Sequence, residues 1–255
     1  MITIGSYQCI SKLGQGKNAT AYGSVSKKTL EPIVLKVSEK KESFENEKNI
    51  LSKLHHKGIV KLIDSFQEGT KQILVLEYGK VLIDHIIENG RFTEKEAKIL
   101  FKTIFEAVNY LHENKIIHRD IKLDNIIMTE KQNLKLIDFD LSVVQNLKSN
   151  NNPVGTLQYM APELLNGMRF DNKIDIWSLG ITLYAAVFGY FPFDSTDYFS
   201  YSNDALTQKP YFDLDDVCVS SDFIDLINKM LEKIPSKRIS IHECLNHPWF
   251  NILSD

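Results

Sequence analysis

His118-Arg119-Asp120-Ile121-Lys122-Leu123-Asp124-Asn125, followed after an alternating apolar and polar run by Leu136-Ile137-Asp138-Phe139-Asp140, is the stretch whose reading decides the fold. It gathers a potential base (Asp120), a cation (Lys122) and two potential metal ligands (Asn125 and Asp138) within one hairpin-sized length of chain. Phosphoryl transfer from a metal-bound nucleotide needs this set: an oxygen to orient the attacking hydroxyl, a cation for the moving charge and oxygen ligands for the metal.

Composition limits what surrounds this segment. At 255 residues and 43% hydrophobic, the chain can bury a substantial core, as one large domain or two modest ones. A formal charge of −3 gives no electrostatic reason to expect nucleic acid or an anionic membrane as the main partner. Cys9, Cys218 and Cys244 are few, odd in number and scattered, which fits neither a zinc site nor a disulfide framework. A reducing compartment follows, so the expected location is cytoplasmic, with nuclear access open. The start of the chain, Met1 to Ser6, lacks the basic and apolar regions of a secretory signal. The longest apolar stretch, Leu179 to Phe193, contains Thr182 and Pro192 and falls short of the ~20 residues of a membrane span, so it reads as a helix buried in the core.

The chain divides near residue 80. Before it, β-branched and aromatic runs read as strands: Tyr7 to Leu13, Thr20 to Lys27, Pro32 to Ser38, Val60 to Gln67 and Gln72 to Tyr78. One helix interrupts them, with Ser43 as the expected N-cap and Phe44, Glu47, Ile50, Leu51 and Leu54 at helical spacing. After residue 80 the pattern is mostly helical. Thr93 to Asn114 carries Ala97, Leu100, Phe101, Ile104, Val108 and Leu111 on one face, and Thr93 with Glu96 forms a capping-box pattern. Strands followed by helices predict two unequal lobes of an α+β protein.

A glycine-rich turn, Leu13-Gly14-Gln15-Gly16-Lys17-Asn18-Ala19-Thr20-Ala21, lies between the first strands, and Ile33-Val34-Leu35-Lys36 follows it. Gly16-Lys17 is followed by Asn18, which excludes a Walker-type phosphate loop. Downstream stand Gly155-Thr156-Leu157-Gln158-Tyr159-Met160-Ala161-Pro162-Glu163, Asp175-Ile176-Trp177-Ser178-Leu179-Gly180 and His247-Pro248-Trp249-Phe250. In order and spacing these motifs resemble the eukaryotic-type serine/threonine protein kinases over nearly the whole chain, loosely those of the calmodulin-dependent and AMP-activated group.

The resemblance implies a bilobal kinase fold in a single domain over 1–255, with an N-lobe to about residue 78, a hinge at about 77–80 and a C-lobe beyond. It implies ATP and magnesium, with manganese as the alternative metal, and protein substrates phosphorylated on serine or threonine. Asp120 would accept the hydroxyl proton, Lys122 would neutralise the transferring phosphoryl, and Asn125 and Asp138 would hold the metal. Lys36 would hold the ATP phosphates, and its carboxylate partner is either Glu45 or Glu47. Spacing favours Glu47, because Leu51 one turn on shares its inward face, whereas Asn49 follows Glu45.

The nucleotide would further meet Leu13, Gly14, Gln15, Gly16, Ala21, Val34, Leu76 as gatekeeper, hinge residues Glu77, Tyr78 and Gly79, and Ile127. At 21 and 34 the family's usual valine and alanine are exchanged, which keeps the volume of the adenine slot. The acidic residue that often binds ribose is replaced by Lys80 or Val81. Leu51, Leu62, His118 and Phe139 match an apolar stack that ties the lobes together. Asp175 matches a support of the catalytic-loop backbone, and Glu163 with Arg238 a buried ion pair. Lys122 and Thr156 point to serine/threonine specificity. Asp124 is one of few acidic residues able to read a basic substrate, and Ala185 stands where relatives often carry glutamate.

Three departures concern control. In relatives the arginine at position 119 often binds a phosphate on the activation segment; Asn152 occupies the usual threonine position, so activity without phosphorylation there is expected, with Ser149 as the nearby hydroxyl. Asp140 replaces the glycine after Asp-Phe, which restricts the backbone and biases the segment toward its inward, metal-binding form. A nucleotide-binding pseudokinase that signals by conformation is the alternative to an active enzyme.

Overall fold

In a computed structural model, the described residues are 3–145, 154–193 and 197–251. The strands are β1 (Thr3–Ile4), β2 (Tyr7–Gln15), β3 (Ala19–Ser26), β4 (Pro32–Ser38), β5 (Leu62–Glu68), β6 (Lys71–Glu77), β7 (Lys80–Val81), β8 (Ile116–Ile117), β9 (Ile126–Met128), β10 (Leu134–Leu136) and β11 (Val143–Val144). The helices are α1 (Lys41–Leu51), α2 (Leu82–Asn89), α3 (Glu94–Glu113), α4 (Pro162–Leu165), α5 (Lys173–Phe188), α6 (Tyr198–Thr207), α7 (Ser221–Met230) and α8 (Ile241–Leu245).

The small lobe is one antiparallel sheet in the order β1-β2-β3-β4-β6-β5. Alternation along β4 and β6 gives the sheet two different faces. Ile33, Leu35, Val37, Ile73 and Val75 are buried together with Ile4 and Cys9 in a small core on one face. The opposite face carries Val34, Lys36, Leu74 and Leu76 and looks toward the rest of the molecule. Helix α1 packs behind the sheet, burying Phe44, Glu47, Ile50 and Leu51.

The large lobe is built around α3 and α5. Thr93 caps α3 by accepting from the Glu96 N–H while the Glu96 carboxylate accepts from the Thr93 N–H, as the sequence pattern predicts. Helix α5 is buried all round, from Ile174 to Phe188, which makes it the core of the lobe rather than an amphipathic surface helix. It stops at Phe188, short of the Phe193 expected from the apolar run. The lobes are stitched where Leu136 donates to the Gly58 carbonyl and accepts from Val60, each at 2.9 Å. One apolar cluster then runs from Phe44 and Leu51 through Phe139 to Trp249. This is the bilobal α+β architecture, and Lys36, Glu47 and Asp138 collect where the lobes meet.

One expectation of local structure is corrected. Ser43 does not cap α1: the helix begins at Lys41 with Lys40 as N-cap, and no side chain caps it. Ser43 lies inside the first turn, and its hydroxyl is engaged elsewhere.

Candidate active site

Strand register builds one wall of the cleft between the lobes. Ala21 lies opposite Lys36, Lys36 opposite Leu74, and Val34 opposite Leu76. Directly paired residues project to the same face, so Ala21, Val34, Lys36, Leu74 and Leu76 form one apolar surface with a single ammonium in it. Leu13 lies against Gly23, where an added Cβ would stand 3.3 Å from Leu13 Cδ2. Gly14 faces open space, with no atom within 4 Å of a notional Cβ. Gly16 closes the turn by donating to the Ala19 carbonyl at 2.9 Å, and the Gln15 side chain accepts from Lys12 at 2.6 Å.

The opposite wall comes from β9. Ile127 is buried, and Gly79 lies against it so closely that a Cβ there would be 2.9 Å from Ile127 Cδ1 and 3.0 Å from the Met128 carbonyl. Only glycine lets the hinge run this close. Glu77 sends its carboxylate away from the cleft, to Lys135 Nζ at 2.7 Å and the Lys61 N–H at 2.6 Å. Its own N–H donates to the Lys61 carbonyl at 3.2 Å, so that amide is occupied. Tyr78 is exposed. Lys80 pairs with Glu88 of α2, and Val81 pairs with Ile127.

Lys36 is the hub. Its Nζ lies 2.5 Å from Glu47 Oε2 and 2.6 Å from Asp138 Oδ1, and Glu47 Oε1 accepts the Phe139 N–H at 3.2 Å. Glu47, and not Glu45, is therefore the carboxylate that meets the lysine. Burial works to lower the Lys36 pKa, but the charges of Glu47 and Asp138 outweigh it and hold the ammonium above its ordinary value. Burial also acts to raise Asp138, yet Lys36 beside it keeps that carboxyl below the usual range. Glu47 is pushed up, chiefly by burial. Asp138 has φ +65°, a left-handed conformation unfavourable for a non-glycine residue and typical of strain held at a working site.

Asp120, Lys122 and Asn125 knit into a second cluster. Asn125 Nδ2 donates to the Asp120 carbonyl and to Asp120 Oδ2, both at 2.8 Å. Lys122 Nζ lies 2.9 Å from Asp120 Oδ2 and donates to Thr156 Oγ1 at 2.7 Å. The Thr156 N–H reaches Asp120 Oδ1 at 3.3 Å. Gly155, at φ +113°, makes this approach possible, since a Cβ there would sit 3.0 Å from the Arg119 carbonyl.

Deeper contacts hold the loop. Asp175 is fully buried and accepts from the N–H groups of His118 and Arg119 and meets His112 Nε2, each at 2.9 Å. Burial alone would raise its pKa; the His112 contact and the neighbouring donors overcome that and depress it. Arg119 takes φ +72° and stacks its guanidinium 5.1 Å over Phe170. His118 packs edge-on to Phe139 at 4.7 Å, while Leu51 is buried in the same cluster and Leu62 packs against it. Glu163 and Arg238 form a two-point ion pair at 2.7 and 2.9 Å. Ser149 and Asn152 lie outside the described residues.

The residues that sequence reasoning passed over are Asn18, Asn46 and Lys135. Asn18 and Asn46 contact Asp140, and Lys135 holds Glu77. None belongs to a local pattern.

Comparison with known proteins agrees with this geometry. The chain belongs to the protein kinase domain family, which matches residues 7–250. It is 38% identical to the serine/threonine-protein kinase cds1 of Schizosaccharomyces pombe over 238 residues, 87% of this chain and 51% of that protein. It is 35% identical to calcium/calmodulin-dependent protein kinase type IV of Mus musculus over 257 residues, 95% of this chain and 54% of the relative. With the carbon catabolite-derepressing protein kinase of Candida glabrata the identity is 33% over 266 residues, 98% of this chain and 42% of the other. The chain thus spans about half the length of the curated relatives it matches. No helix among the described residues is long and apolar enough to cross a membrane.

Proposed function

We propose that this chain is a protein kinase that transfers the γ-phosphoryl group of ATP to serine and threonine hydroxyls of protein substrates. The observation that carries this reading is the meeting of two clusters: Lys36 bonded at once to Glu47 and Asp138, and Asp120 bonded at once to Asn125 and Lys122. The first is pre-set to hold phosphates; the second is pre-set to hold a hydroxyl.

The residues fit a metal of the magnesium type. Among the described residues no three acidic, histidine or cysteine side chains converge as a closed metal cage. Magnesium does not need one, because it commonly takes one or two protein oxygens and completes its shell with phosphate and water. Asn125 turns its amide nitrogen to Asp120, so its amide oxygen would serve as a ligand together with the Asp138 carboxylate. Lys36 stands between the carboxylates of Glu47 and Asp138, and two carboxylates around one ammonium suit a divalent cation. When bound, the metal supplies charge neutralisation on the phosphate oxygens.

The chain's own residues do the rest. Ala21, Val34, Leu76 and Ile127 enclose an adenine, with main-chain groups of the Glu77–Gly79 hinge at its edge. Lys36, fixed by Glu47, orients the phosphates. Asp120 accepts the proton of the substrate hydroxyl as its oxygen bonds to the γ-phosphorus and the bond to the bridging oxygen breaks. Lys122 lies beside the transferred charge, and its contact to Thr156 ties that ammonium to the substrate-side segment, which supports serine/threonine specificity. Cys9, Cys218 and Cys244 are all free thiols, which supports a reducing, cytoplasmic setting with access to the nucleus.

The test is transfer from magnesium-ATP to a generic basic protein, followed by analysis of the phosphorylated residue, with Asp138→Asn beside the wild type. Phosphoserine and phosphothreonine from the wild type alone are expected. Nucleotide binding without transfer would favour a conformational scaffold instead.

A further inference from the structure

Asp140 occupies a position where glycine would have no side-chain contact, and its contacts reach two separate elements of the small lobe. Its Oδ2 accepts from Asn18 Nδ2 in the glycine-rich turn at 3.1 Å and from Ser43 Oγ in the first turn of α1 at 3.3 Å. Asn46, one turn further along α1, donates to the main-chain carbonyls of both Asp140 and Ser142 at 3.0 Å. Asn18 is itself held from behind, its carbonyl by Ser38 Oγ at 2.8 Å and its amide oxygen by Lys40 Nζ at 2.9 Å. Four hydrogen bonds therefore run from residues 18, 43 and 46 of the small lobe to residues 140 and 142 of the large one.

The geometry of α1 gives these bonds a purpose. Ser43, Asn46 and Glu47 stand at i, i+3 and i+4, on one helix face. The same face presents Glu47 to Lys36. The N-terminus of α1 has no side-chain cap of its own, so its first turn is anchored through Asp140 instead. A helix free to swing would carry Glu47 away from Lys36 and leave the ammonium to Asp138 alone.

We propose that Asp140 is a positioning residue: through Asn18, Ser43 and Asn46 it clasps the glycine-rich turn and α1 to the Asp138–Asp140 segment, so that the Lys36–Glu47 pair is held assembled by the chain itself. The proposal rests on the kinase reading for its kinetic consequences, but the clasp itself consists of contacts within the chain. The clasp makes Ser43 the vulnerable member, because a negative charge placed there would face the Asp140 carboxylate.

Two measurements test it. Amide hydrogen exchange on the ligand-free chain should be about tenfold faster across Phe44–Leu51 in Asp140→Ala, Asn46→Ala and Ser43→Asp than in the wild type. Asp140→Asn, whose amide oxygen can take both bonds that Oδ2 takes, should remain near wild type. In the transfer assay the first three variants should lose about tenfold in kcat with the ATP KM held within about threefold, and Asp140→Asn should recover most of the rate. Asn46→Ala leaves every carboxylate at the site in place, so it separates loss of the clasp from loss of charge near the metal. Unchanged exchange and rate in Asp140→Ala and Asn46→Ala would overturn the proposal. So would an Asp140→Asn as impaired as Asp140→Ala, which would assign the effect to charge. A wild type without transfer would overturn the kinase reading, and the exchange comparison would still decide on the clasp.

Discussion

Neutralising Glu163 should cost the large lobe several kcal/mol while leaving the Lys36 and Asp120 clusters in place. Arg238 is fully buried and Glu163 only 3% exposed. The guanidinium makes two bonds to that carboxylate, one to the Lys173 carbonyl at 2.8 Å and one to the Glu232 carbonyl at 2.9 Å, and it stacks over Trp177. Glu163→Gln retains the shape and one acceptor but strands a buried cation. Removing one partner of a buried, hydrogen-bonded pair costs about 3–5 kcal/mol, because the remaining charge keeps its desolvation penalty. For a chain of this length that corresponds to a Tm lower by roughly 6–20 °C. Differential scanning calorimetry on Glu163→Gln, Arg238→Met and the apolar double variant Glu163→Leu/Arg238→Met reads it directly. The double variant should lose less than the sum of the single ones, since it leaves no orphaned charge. A Tm shift below about 2 °C in Glu163→Gln would refute the reasoning.

Three further outcomes follow from the same contacts. Gly155→Ala should cost about 1–3 kcal/mol and reduce transfer, because φ +113° is unfavourable for alanine and its Cβ would press the Arg119 carbonyl at 3.0 Å; paired thermal melts and rate measurements check this. Asp175 is held below the usual carboxylate range in the folded chain, so its contribution is complete above its unfolded pKa of ~3.9 and is lost as pH falls through the depressed folded value. The stability gap between wild type and Asp175→Asn should thus be constant above about pH 5 and narrow below about pH 4 in pH-dependent denaturation. Burial pushes the Lys233 amine down to about 8, so its charge is a cost at neutral pH that fades as pH rises from there toward its unfolded value. Lys233→Met should stabilise by about 1 kcal/mol at pH 7, after allowance for solvent access and for the ring contacts to Phe193 and Trp177, with no gain left near pH 10.5.

What could be read in the sequence was what local chemistry and period dictate. Thr93 and Glu96 announce their helix because a capping box is a contact three residues long. The choice of Glu47 over Glu45 follows from helical period and one buried face, and α1 does turn Glu47 inward. The expectation failed at Ser43 for the opposite reason. Its hydroxyl is recruited by Asp140, 97 residues away, so a residue suited to capping is spent on a long-range bond. Asn18 and Asn46 were invisible on the same ground, since their partner lies 122 and 94 residues along the chain. The oddity of Asp140 was legible from its motif; the groups it holds were fixed only when the sheet, the helix and the Asp-Phe-Asp segment came together.

Single-turnover transfer by Asp120→Asn tests the central claim most directly. Asp120 lies at the bottom of the second cluster, bonded to Asn125, Lys122 and Thr156. An amide at that position keeps the size of the side chain but cannot take up the hydroxyl proton. The expected rate is lower by about 10²–10⁴, with ATP affinity within a few-fold of wild type. Transfer by Asp120→Asn at the wild-type rate would contradict it.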